Sequence, residues 1–513
     1  MNKSDLKLSR PCDQLPIKID RAAPQTLQFQ LFHGIQALIL SGYLRPNELL
    51  PPFRELASQL QLSRNTVILA YQRLISEGYL ETRPGVGTYV TGTLPERALH
   101  IQQTTPGTSE NDDFLARRHP FLFHGDLHEI FPPRRLRPEI DFFVGRPDST
   151  SFPGKLWSRL LTRKIAHGHG GMTEYGDPAG LPDLRAAIAD HLAPARGIKA
   201  DPDQIIIVAG IQEALNLLSR LLVASETRIA IESPCYQGAA YVFQAARAKI
   251  LPVPVDDQGL DVDALPSGPV GVIYVTPSHQ YPLGSTLSLE RRLKLLEWAW
   301  DTGAYIIEDD YDSDFRYQGA PLFALAGLDR HESVIYLGTF SKSIGAGIRV
   351  GYIVAPHALA RPLTALKGLL NNGNPWLEQA VLAEFLHSGS FAHHLRKIRK
   401  LYLSRRNTLI DCLHEHFGDS LISGAEGGMH IAWTLPPGLP DADKLAACAL
   451  EAGVGIYPLA GGACSFIADD HQRRRLLMLG FSSVSESKIR DGIGRLAGLC
   501  APDRAGAAID YAI

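Results

Sequence analysis

The sequence predicts a multidomain protein in which a small N-terminal module of three helices and a β-hairpin precedes a larger α/β domain. With 513 residues the chain exceeds a usual single domain, so two or more hydrophobic cores are expected. Helical periodicity and then a Gly-rich hairpin pattern occupy residues 26–90. From Asp141 onward, short apolar runs alternate with helical segments, which is typical of an α/β domain.

Net charge does not decide between function classes, since 51 basic and 54 acidic residues give −3 and a small basic face would be averaged away. Six scattered cysteines show no C-x-x-C pair and no metal-ligand spacing, so we predict reduced thiols and no metal site. Residues 1–20 contain no apolar signal segment, and no later run is long enough to cross a bilayer. We therefore expect a cytoplasmic protein without a membrane partner.

Residues 1–24 are polar and interrupted by proline, which predicts a loose lead-in to a domain over residues 25–92. The first helix of that domain follows Thr26 and ends at Ser41-Gly42. Its apolar face carries Leu27, Leu31, Ile35, Leu38 and Ile39.

A second short helix follows Pro51-Pro52, and Ser63 is a good N-cap for a third helix. The inward residues of the third helix are Val67, Tyr71, Leu74 and Ile75. Gly78 ends this helix, and two short strands then flank Pro84-Gly85-Val86-Gly87 as a hairpin. Three helices and a β-ribbon form the winged helix-turn-helix plan, whose third helix lies in the major groove of DNA.

Polar and glycine residues on the second helix, on the third helix and in the hairpin are candidates for contact with DNA. They are Arg54, Ser63, Arg64, Asn65, Thr66, Arg73, Arg83, Gly85 and Gly87. A small helical adaptor with solvated arginines is the alternative, and five basic against four acidic side chains over residues 45–90 do not separate the two. The stretch Leu50–Val90 resembles the GntR-type winged helix along its length, departing mildly at Pro52 and Phe53, and this resemblance favours DNA binding.

Residues 93–138 are rich in Thr, Pro and Arg without sustained periodicity, which predicts a linker. The remaining domain is predicted over residues 139–505, with a smaller α+β subdomain after about residue 355. Its predicted strands are Ile205–Val208, Arg228–Ile231, Val272–Val275, Tyr305–Ile307 and Val334–Leu337. Because these runs are continuously apolar and helical segments lie between them, we expect a largely parallel sheet covered on both faces.

A lysine segment follows the last of these strands. Lys342 lies in Thr339–Tyr352 among hydroxyls and glycines, with Arg349 seven residues further on. Such a lysine is placed to form a Schiff base while its neighbours hold a phosphate, although a solvated loop lysine is the alternative on this segment alone.

Three carboxylates and a tyrosine, Glu308-Asp309-Asp310-Tyr311, end another predicted strand. Open α/β sheets bind ligands at this end of their strands, and one carboxylate is placed to keep a pyridine nitrogen protonated. A solvated acidic loop is again the alternative.

The spacing of Asp309, Tyr311, Lys342 and Arg349 resembles the fold-type I pyridoxal-phosphate enzymes of the aspartate aminotransferase class. By that resemblance Lys342 forms the internal aldimine of pyridoxal 5′-phosphate, Asp309 pairs with the pyridinium nitrogen and Tyr311 hydrogen-bonds the phenolic oxygen. The resemblance further implies phosphate contacts from Gly210, Ile211, Gln212, Thr339, Ser341 and Arg349.

Three more tyrosines complete the implied pocket. Tyr236 corresponds to the aromatic that stacks on the pyridine ring, and Tyr281 stands where aminotransferases usually carry an asparagine. Tyr175 resembles the tyrosine that reaches the phosphate of the partner subunit's cofactor, which implies a homodimer. His279, next to this group, is interpreted either as a residue supporting the pocket or as a structural histidine.

Two positions depart from the aminotransferase pattern. Met478 aligns with the arginine that grips the substrate α-carboxylate, while Arg473, Arg474 and Arg475 just before it are interpreted as a solvated basic turn. Gly238 occupies the place where GABA-sensing relatives carry a carboxylate-binding arginine. These departures argue against a standard amino-acid substrate.

A GntR-type winged helix, a linker and an aminotransferase-like domain form the layout of the MocR-type transcription regulators, which the chain resembles from about residue 26 onward. The resemblance implies a dimeric regulator that binds double-stranded promoter DNA through residues 50–90 and senses pyridoxal phosphate, alone or with an amino compound, at Lys342. We therefore expect a regulator of vitamin B6 metabolism. We expect it to have no physiological enzymatic turnover, although residual transaminase activity is compatible with this function. A working aminotransferase and a scaffold with an empty pocket are the alternatives.

Overall fold

The computed structural model describes residues 15–93, 138–168, 170–317, 322–460 and 464–500. The chain divides into two compact units, residues 1–120 and residues 121–513. Most of the predicted linker lies outside the described residues, as do residues 1–14 of the predicted lead-in and residues 501–505 of the predicted second domain.

The N-terminal unit contains three helices and a hairpin. They are α1 (Leu27–Leu40), α2 (Phe53–Gln59), α3 (Arg64–Ser76), β1 (Leu80–Arg83) and β2 (Gly87–Val90). Thr26 caps α1 by accepting a hydrogen bond from the Phe29 amide at 3.3 Å, and the two strands pair antiparallel from Leu80↔Val90 to Arg83↔Gly87. The predicted winged helix-turn-helix is confirmed.

The core of this unit forms where the apolar faces of the three helices meet. Leu31, Ile35, Val67 and Leu74 are fully buried. Ile75 is 36% exposed, so its predicted inward position was wrong. Successive helical residues are rotated by about 100°, and the placement of Leu74 in the core therefore turns Ile75 toward solvent.

Part of the predicted lead-in packs on this core. Leu15 is buried among the core residues, and Ile17 packs against them. A Cβ atom at Gly34 of α1 would lie 2.8 Å from Ile17, so the helix surface is shaped to receive that side chain. The described end of the lead-in is therefore held against α1.

The larger unit alternates helices and strands. Its helices are α4 (Gly154–His167), α5 (Pro182–Arg196), α6 (Ile211–Leu222), α7 (Gln237–Ala245), α8 (Leu289–Thr302), α9 (Leu325–Leu328), α10 (His357–Asn371), α11 (Trp376–His387), α12 (Ser390–Phe417), α13 (Ala442–Glu451), α14 (Asp470–Arg475) and α15 (Glu486–Leu499). Its strands are β3 (Ile140–Asp141), β4 (Ile205–Val208), β5 (Arg228–Ser233), β6 (Cys235–Tyr236), β7 (Lys249–Asp256), β8 (Gly259–Leu260), β9 (Val272–Val275), β10 (Tyr305–Asp310), β11 (Val334–Thr339), β12 (Gly351–Val354), β13 (Ile422–Ser423), β14 (His430–Thr434), β15 (Val454–Gly455), β16 (Tyr457–Pro458), β17 (Cys464–Ser465) and β18 (Leu476–Gly480).

In the described part of the chain, eight strands form one sheet in the order β4-β12-β11-β10-β9-β5-β7-β8. The pairs from β11 through β10, β9 and β5 to β7 are parallel, whereas β12 runs antiparallel to both β11 and β4. All five predicted strands belong to this sheet, so the prediction of a covered, largely parallel sheet is confirmed. The parallel strands end on one edge of the sheet, where Asp309 lies near the end of β10 and Tyr311 and Lys342 lie in the segments after β10 and β11.

The chain after residue 355 forms the predicted smaller α+β part. Its antiparallel sheet has the order β13-β14-β18-β16 among the described strands, with α12 and α15 packed together beside it. Met478 of β18 lies opposite Ala432 of β14 and Tyr457 of β16. None of the helices in the described ranges combines the length and apolar character needed to cross a bilayer.

Candidate functional site

Lys342 lies in the turn after β11, with its amine pointed at the backbone of residue 145. The Nζ atom donates a hydrogen bond to the Gly145 carbonyl oxygen at 2.9 Å. Burial lowers the pKa of the Lys342 ammonium, while the carboxylates of Asp312 and Asp309 partly oppose that shift. A lysine with a lowered pKa carries more of the neutral amine, which is the nucleophilic form.

Asp309, at the end of β10, is a buried carboxylate with one oxygen that lacks a hydrogen-bond partner among the described residues. Its Oδ2 atom accepts a hydrogen bond from the Tyr274 hydroxyl at 2.7 Å, whereas Oδ1 has no partner among the described residues. Burial raises the pKa of Asp309 to about 7, with the Tyr274 hydrogen bond opposing and nearby carboxylates adding to the shift. An acceptor of this kind fits a ligand that brings a protonated ring nitrogen.

Tyrosine rings line the space between these two groups. The Tyr311 hydroxyl donates to the His279 carbonyl oxygen at 3.0 Å, and its ring centroid lies 6.0 Å from that of Tyr281. The ring of Tyr236 is in turn 5.9 Å from Tyr281, edge to face. Burial raises the pKa of all three phenols, that of Tyr236 to about 12, so they are hydroxyl donors at neutral pH.

A cradle of small residues and one arginine lies at the start of α6. Gly210 precedes this helix with a φ of +132°, and a Cβ atom placed on it would lie 3.2 Å from the Arg349 Nη2 atom. Across β12, Thr339 Oγ1 donates to Ser341 Oγ at 3.0 Å and accepts from the Ser341 amide at 3.2 Å. The amides of Ile211 and Gln212 open the helix, where N–H groups have no partner inside it, so the cradle suits an anion.

Position 238 has no space for a side chain. A Cβ atom there would lie 2.5 Å from Tyr236 Cζ and 2.6 Å from Gln212 Oε1. The Gln212 amide also donates to the Gly238 carbonyl oxygen at 3.1 Å. Gln212 and Tyr236 therefore occupy the room that an arginine at residue 238 would need.

Met478, which aligns with the carboxylate-binding arginine of aminotransferases, lies in an apolar wall. Met478 is fully buried in a cluster with Leu283, Leu459 and Cys464, against which the Tyr281 side chain packs. This places the Met478 side chain on the Tyr281 side of the pocket.

Two arginines that lie close in sequence to Gly145 and Met478 have partners away from the pocket. Arg146, which follows Gly145, forms an ion pair with Asp141 at 2.9 Å and lies 4.7 Å from the Phe143 ring centroid. Arg475 donates to the carbonyl oxygens of Leu439 at 2.8 Å and Leu435 at 3.0 Å. The expectation of a solvated arginine turn was therefore wrong for Arg475, because its guanidinium folds back onto the backbone carbonyls that follow β14.

Two histidines and an aspartate form a buried network behind Tyr311. His279 Nδ1 lies 3.0 Å from Asp312 Oδ2 and 3.2 Å from the Tyr311 hydroxyl, and its Nε2 lies 3.3 Å from the Gly424 carbonyl oxygen. Burial alone would lower the pKa of His279, but the Asp312 carboxylate raises it. His430 is held neutral, since burial lowers its pKa to about 3. The network thus fixes the Tyr311 hydroxyl from behind.

Tyr175 stands apart from this cluster. Its side chain is 90% exposed, on the segment between α4 and α5. The same segment is anchored by Asp177, whose carboxylate pairs with Arg185 at 3.1 Å. The chain therefore holds the Tyr175 segment in place while the ring itself faces outward.

In the N-terminal unit, the predicted DNA-contacting residues fall into two groups. Arg54 is exposed at the start of α2, and Arg64 and Asn65 are exposed at the start of α3. Ser63 caps that helix by accepting from the Thr66 amide at 3.1 Å and bonding the Thr66 hydroxyl at 2.7 Å.

Members of the second group already have partners within the unit. Arg73 pairs with Glu77 at 2.8 Å and lies 4.2 Å from the Phe32 ring centroid. Arg83 donates to Asn47 at 2.9 Å and lies 4.6 Å from the Tyr89 ring centroid. The hairpin turn between the strands requires glycine, because Gly85 has a φ of +77° and Gly87 one of +145°.

Sequence reasoning missed several members of the site. Tyr274, Asp312 and His430 contact the pocket groups from separate strands and loops, and Lys367 reaches Glu213 across 154 residues of sequence. Only Asp312 had a usable signal, since it directly continues the acidic run after β10.

Known proteins resemble both units. The chain matches the gntR family of bacterial regulatory proteins over residues 27–90 and the class I and II aminotransferases over residues 153–495. It is 36% identical over 480 residues to the probable rhizopine catabolism regulatory protein MocR of Rhizobium meliloti, covering 93% of this chain and 94% of that protein. It is 34% identical over 416 residues to the pyridoxine biosynthesis transcriptional regulator PdxR of Corynebacterium glutamicum, covering 81% and 85%.

A solved structure resembles the larger unit. The kynurenine aminotransferase of Pyrococcus horikoshii, in complex with PMP, matches with a TM-score of 0.64 and 29% identity, covering 73% of this chain and 98% of that one. The larger unit therefore has the aminotransferase fold.

Proposed function

The chain belongs to the MocR-type transcription regulators, and on that premise we propose that it binds pyridoxal 5′-phosphate at Lys342 and promoter DNA through residues 50–90. The observation that carries the cofactor assignment is the buried Oδ1 atom of Asp309, which has no hydrogen-bond partner among the described residues and whose carboxylate acts on the Lys342 amine. The glycine cradle next to Arg349 supplies the anion site that a phosphate needs.

The residues present fit the cofactor group by group. When bound, pyridoxal phosphate supplies an aldehyde that forms a Schiff base with a lysine and a pyridine ring that draws electrons from it. Asp309 would hold a proton at the pyridine nitrogen, and the Tyr311 hydroxyl would turn from the His279 carbonyl oxygen to donate to the phenolic oxygen. Tyr236 would cover the ring, and Tyr281 would lie beside it. The residues that would hold the phosphate are Gly210, Ile211, Gln212, Thr339, Ser341 and Arg349.

A homodimer completes the pocket in this proposal. The Tyr175 side chain is almost entirely exposed although its segment is well anchored. An exposed aromatic side chain on an anchored segment suits a contact with a second copy of the chain. In the dimer, the Tyr175 hydroxyl would reach the cofactor phosphate bound by the partner subunit.

We propose pyridoxal phosphate itself as the effector. An amino acid brings an α-carboxylate, and the two positions where relatives bind one hold Met478 in an apolar cluster and Gly238 without room for a side chain. The similarity to a regulator named for pyridoxine biosynthesis supports the same assignment. Genes of vitamin B6 synthesis or salvage are accordingly the proposed targets, with the protein acting on DNA in the cytoplasm.

Transamination is the second candidate function, favoured by the pairing of a lysine of lowered pKa with a buried aspartate. The same pairing serves a sensor, which needs the covalent link but not turnover. Met478 disfavours an amino-acid substrate, so we propose no physiological turnover.

The visible absorbance of the purified protein tests the cofactor site. The wild type with added pyridoxal phosphate should show the visible band of a lysine-bound cofactor, and Lys342→Ala should lose the band while its circular dichroism stays unchanged. An unchanged band in Lys342→Ala would refute the assignment.

A further inference from the structure

Glu213 places a carboxylate beside the anion cradle. It is the third residue of α6, and its Oε2 atom accepts a hydrogen bond from the Ala209 amide at 2.5 Å. Ala209 directly precedes Gly210, so this bond helps to fix the backbone of the cradle. The side chain is only 12% exposed.

A buried lysine meets that carboxylate from another helix. Lys367 of α10 is fully buried, and its Nζ atom donates to Glu213 Oε1 and to Asn374 Oδ1, both at 2.5 Å. Asn371 donates to the same Glu213 oxygen at 2.9 Å. A lysine is almost never fully buried unless it is paired, and burying an ion pair costs desolvation energy. The Lys367–Glu213 pair therefore requires an explanation.

The charges explain the pair. A phosphate and a carboxylate near the same helix start repel each other, and within a protein that repulsion is weakly screened. Glu213 offers the oxygen that holds Ala209, but its negative charge alone would oppose a phosphate at Gly210. The Lys367 ammonium cancels this charge and leaves the hydrogen bond in place.

We propose that Lys367 is a positioning residue for the cofactor phosphate, acting through Glu213 to hold the Ala209-Gly210 turn in an anion-accepting state. This inference rests on the proposed binding of pyridoxal phosphate. It predicts an effect that depends on the phosphate group, which a purely structural ion pair would not show.

The test compares the affinities of Lys367→Met for pyridoxal phosphate and for pyridoxal, which lacks the phosphate, by titrating visible absorbance. We expect the affinity for pyridoxal phosphate to fall about tenfold or more, while that for pyridoxal stays at the wild-type value. The double variant Lys367→Met/Glu213→Gln should regain most of the affinity, since it leaves no unpaired charge. Arg361→Met, an exposed position on the same helix, is the matched control.

Lys367→Gln keeps a donor for Glu213 without the charge and replaces the methionine variant if that one does not fold. If Lys367→Met loses affinity equally for both ligands, or for neither, the role given to Lys367 is overturned. The proposed function still holds in that case, provided that the wild type shows the visible band of the bound cofactor. A wild type that binds neither ligand would overturn the proposed function and this inference together.

Discussion

The amine of Lys342 and the carbonyl oxygen of Gly145 are joined by a 2.9 Å hydrogen bond across 197 residues of sequence. Gly145 has a φ of +72°, and a Cβ atom on it would lie 2.6 Å from Lys342 Nζ. The backbone at residue 145 thus approaches the reactive amine as closely as only glycine allows.

Replacing Gly145 with alanine tests this approach. We expect Gly145→Ala to displace the Lys342 amine, weaken the visible cofactor band and lower the free energy of unfolding by about 1 kcal/mol or more, because the backbone is left-handed there. Gly347→Ala is the matched control, since a Cβ atom at Gly347 meets no atom of the described residues within 4 Å. Equal cofactor titrations for both variants would contradict the role given to Gly145.

The buried Asp309 predicts a pH dependence of the cofactor-free protein. The pKa of an unfolded aspartate is about 3.9, and burial raises that of Asp309 to about 7. The contribution of this group to the free energy of unfolding is therefore full below about pH 4 and is lost as the pH rises toward 7. We expect the free energy of unfolding to fall over this range more steeply in the wild type than in Asp309→Asn.

Urea unfolding followed by tryptophan fluorescence measures this difference, because all five tryptophans lie in the larger unit. Subtracting the two proteins removes the contribution of Glu308, whose pKa burial also raises to about 7. The difference also contains a smaller contribution from Glu232, because the Asp309 carboxylate is one of the groups that raise the pKa of Glu232. Parallel pH profiles for the two proteins would show that the pKa of Asp309 is not raised in the folded state.

Met478 is expected to keep amino acids out of the site. Met478→Arg would place a guanidinium in the apolar wall, at a cost of about 3–5 kcal/mol while it is unpaired. An amino-acid carboxylate would pair with it, so alanine or phenylalanine should raise the melting temperature of the cofactor-loaded variant and change its absorbance. Met478→Leu should behave like the wild type. If the wild type responds to amino acids as strongly as Met478→Arg, the wall is not selective.

Two arginines of α3 are expected to differ in their effect on DNA binding. Arg64 is exposed at the start of the helix, whereas Arg73 pairs with Glu77 and lies over Phe32. Arg64→Ala should weaken binding and reduce the salt slope by about one, and Arg73→Ala should mainly lower the melting temperature. Anisotropy titrations at several salt concentrations measure both effects. The reverse ranking would assign the phosphate contact to Arg73.

The sequence predicts those features that continuous runs of residues encode. Apolar runs such as Ile205–Val208 and Val334–Leu337 predict buried strands, and the segment with Lys342 follows the second of these runs. The antiparallel strand Gly351–Val354 was not predicted although Tyr352, Ile353 and Val354 are apolar, because its first residues were assigned to the lysine segment Thr339–Tyr352. Local patterns also misplaced Ile75, whose direction is fixed by how the helices pack.

Local sequence patterns do not predict contacts between segments that are far apart in the chain. Lys367 and Arg475 each carry a charge that is ordinary on a helix surface, and only the fold brings Lys367 to Glu213 or Arg475 to the Leu435 carbonyl. Their role follows from burial and partners, which depend on elements far apart in sequence.

Control of DNA binding by the cofactor bound at Lys342 is the core of the proposed function. Its most direct test is fluorescence anisotropy of the full protein on DNA from upstream of its own gene and its neighbours, with and without pyridoxal phosphate, for the wild type and Lys342→Ala. A ligand shifts such an equilibrium only by its different affinities for the two states. We expect sequence-specific binding that changes with pyridoxal phosphate in the wild type alone. Specific binding that is the same with and without the cofactor, or that changes equally in Lys342→Ala, would contradict the claim.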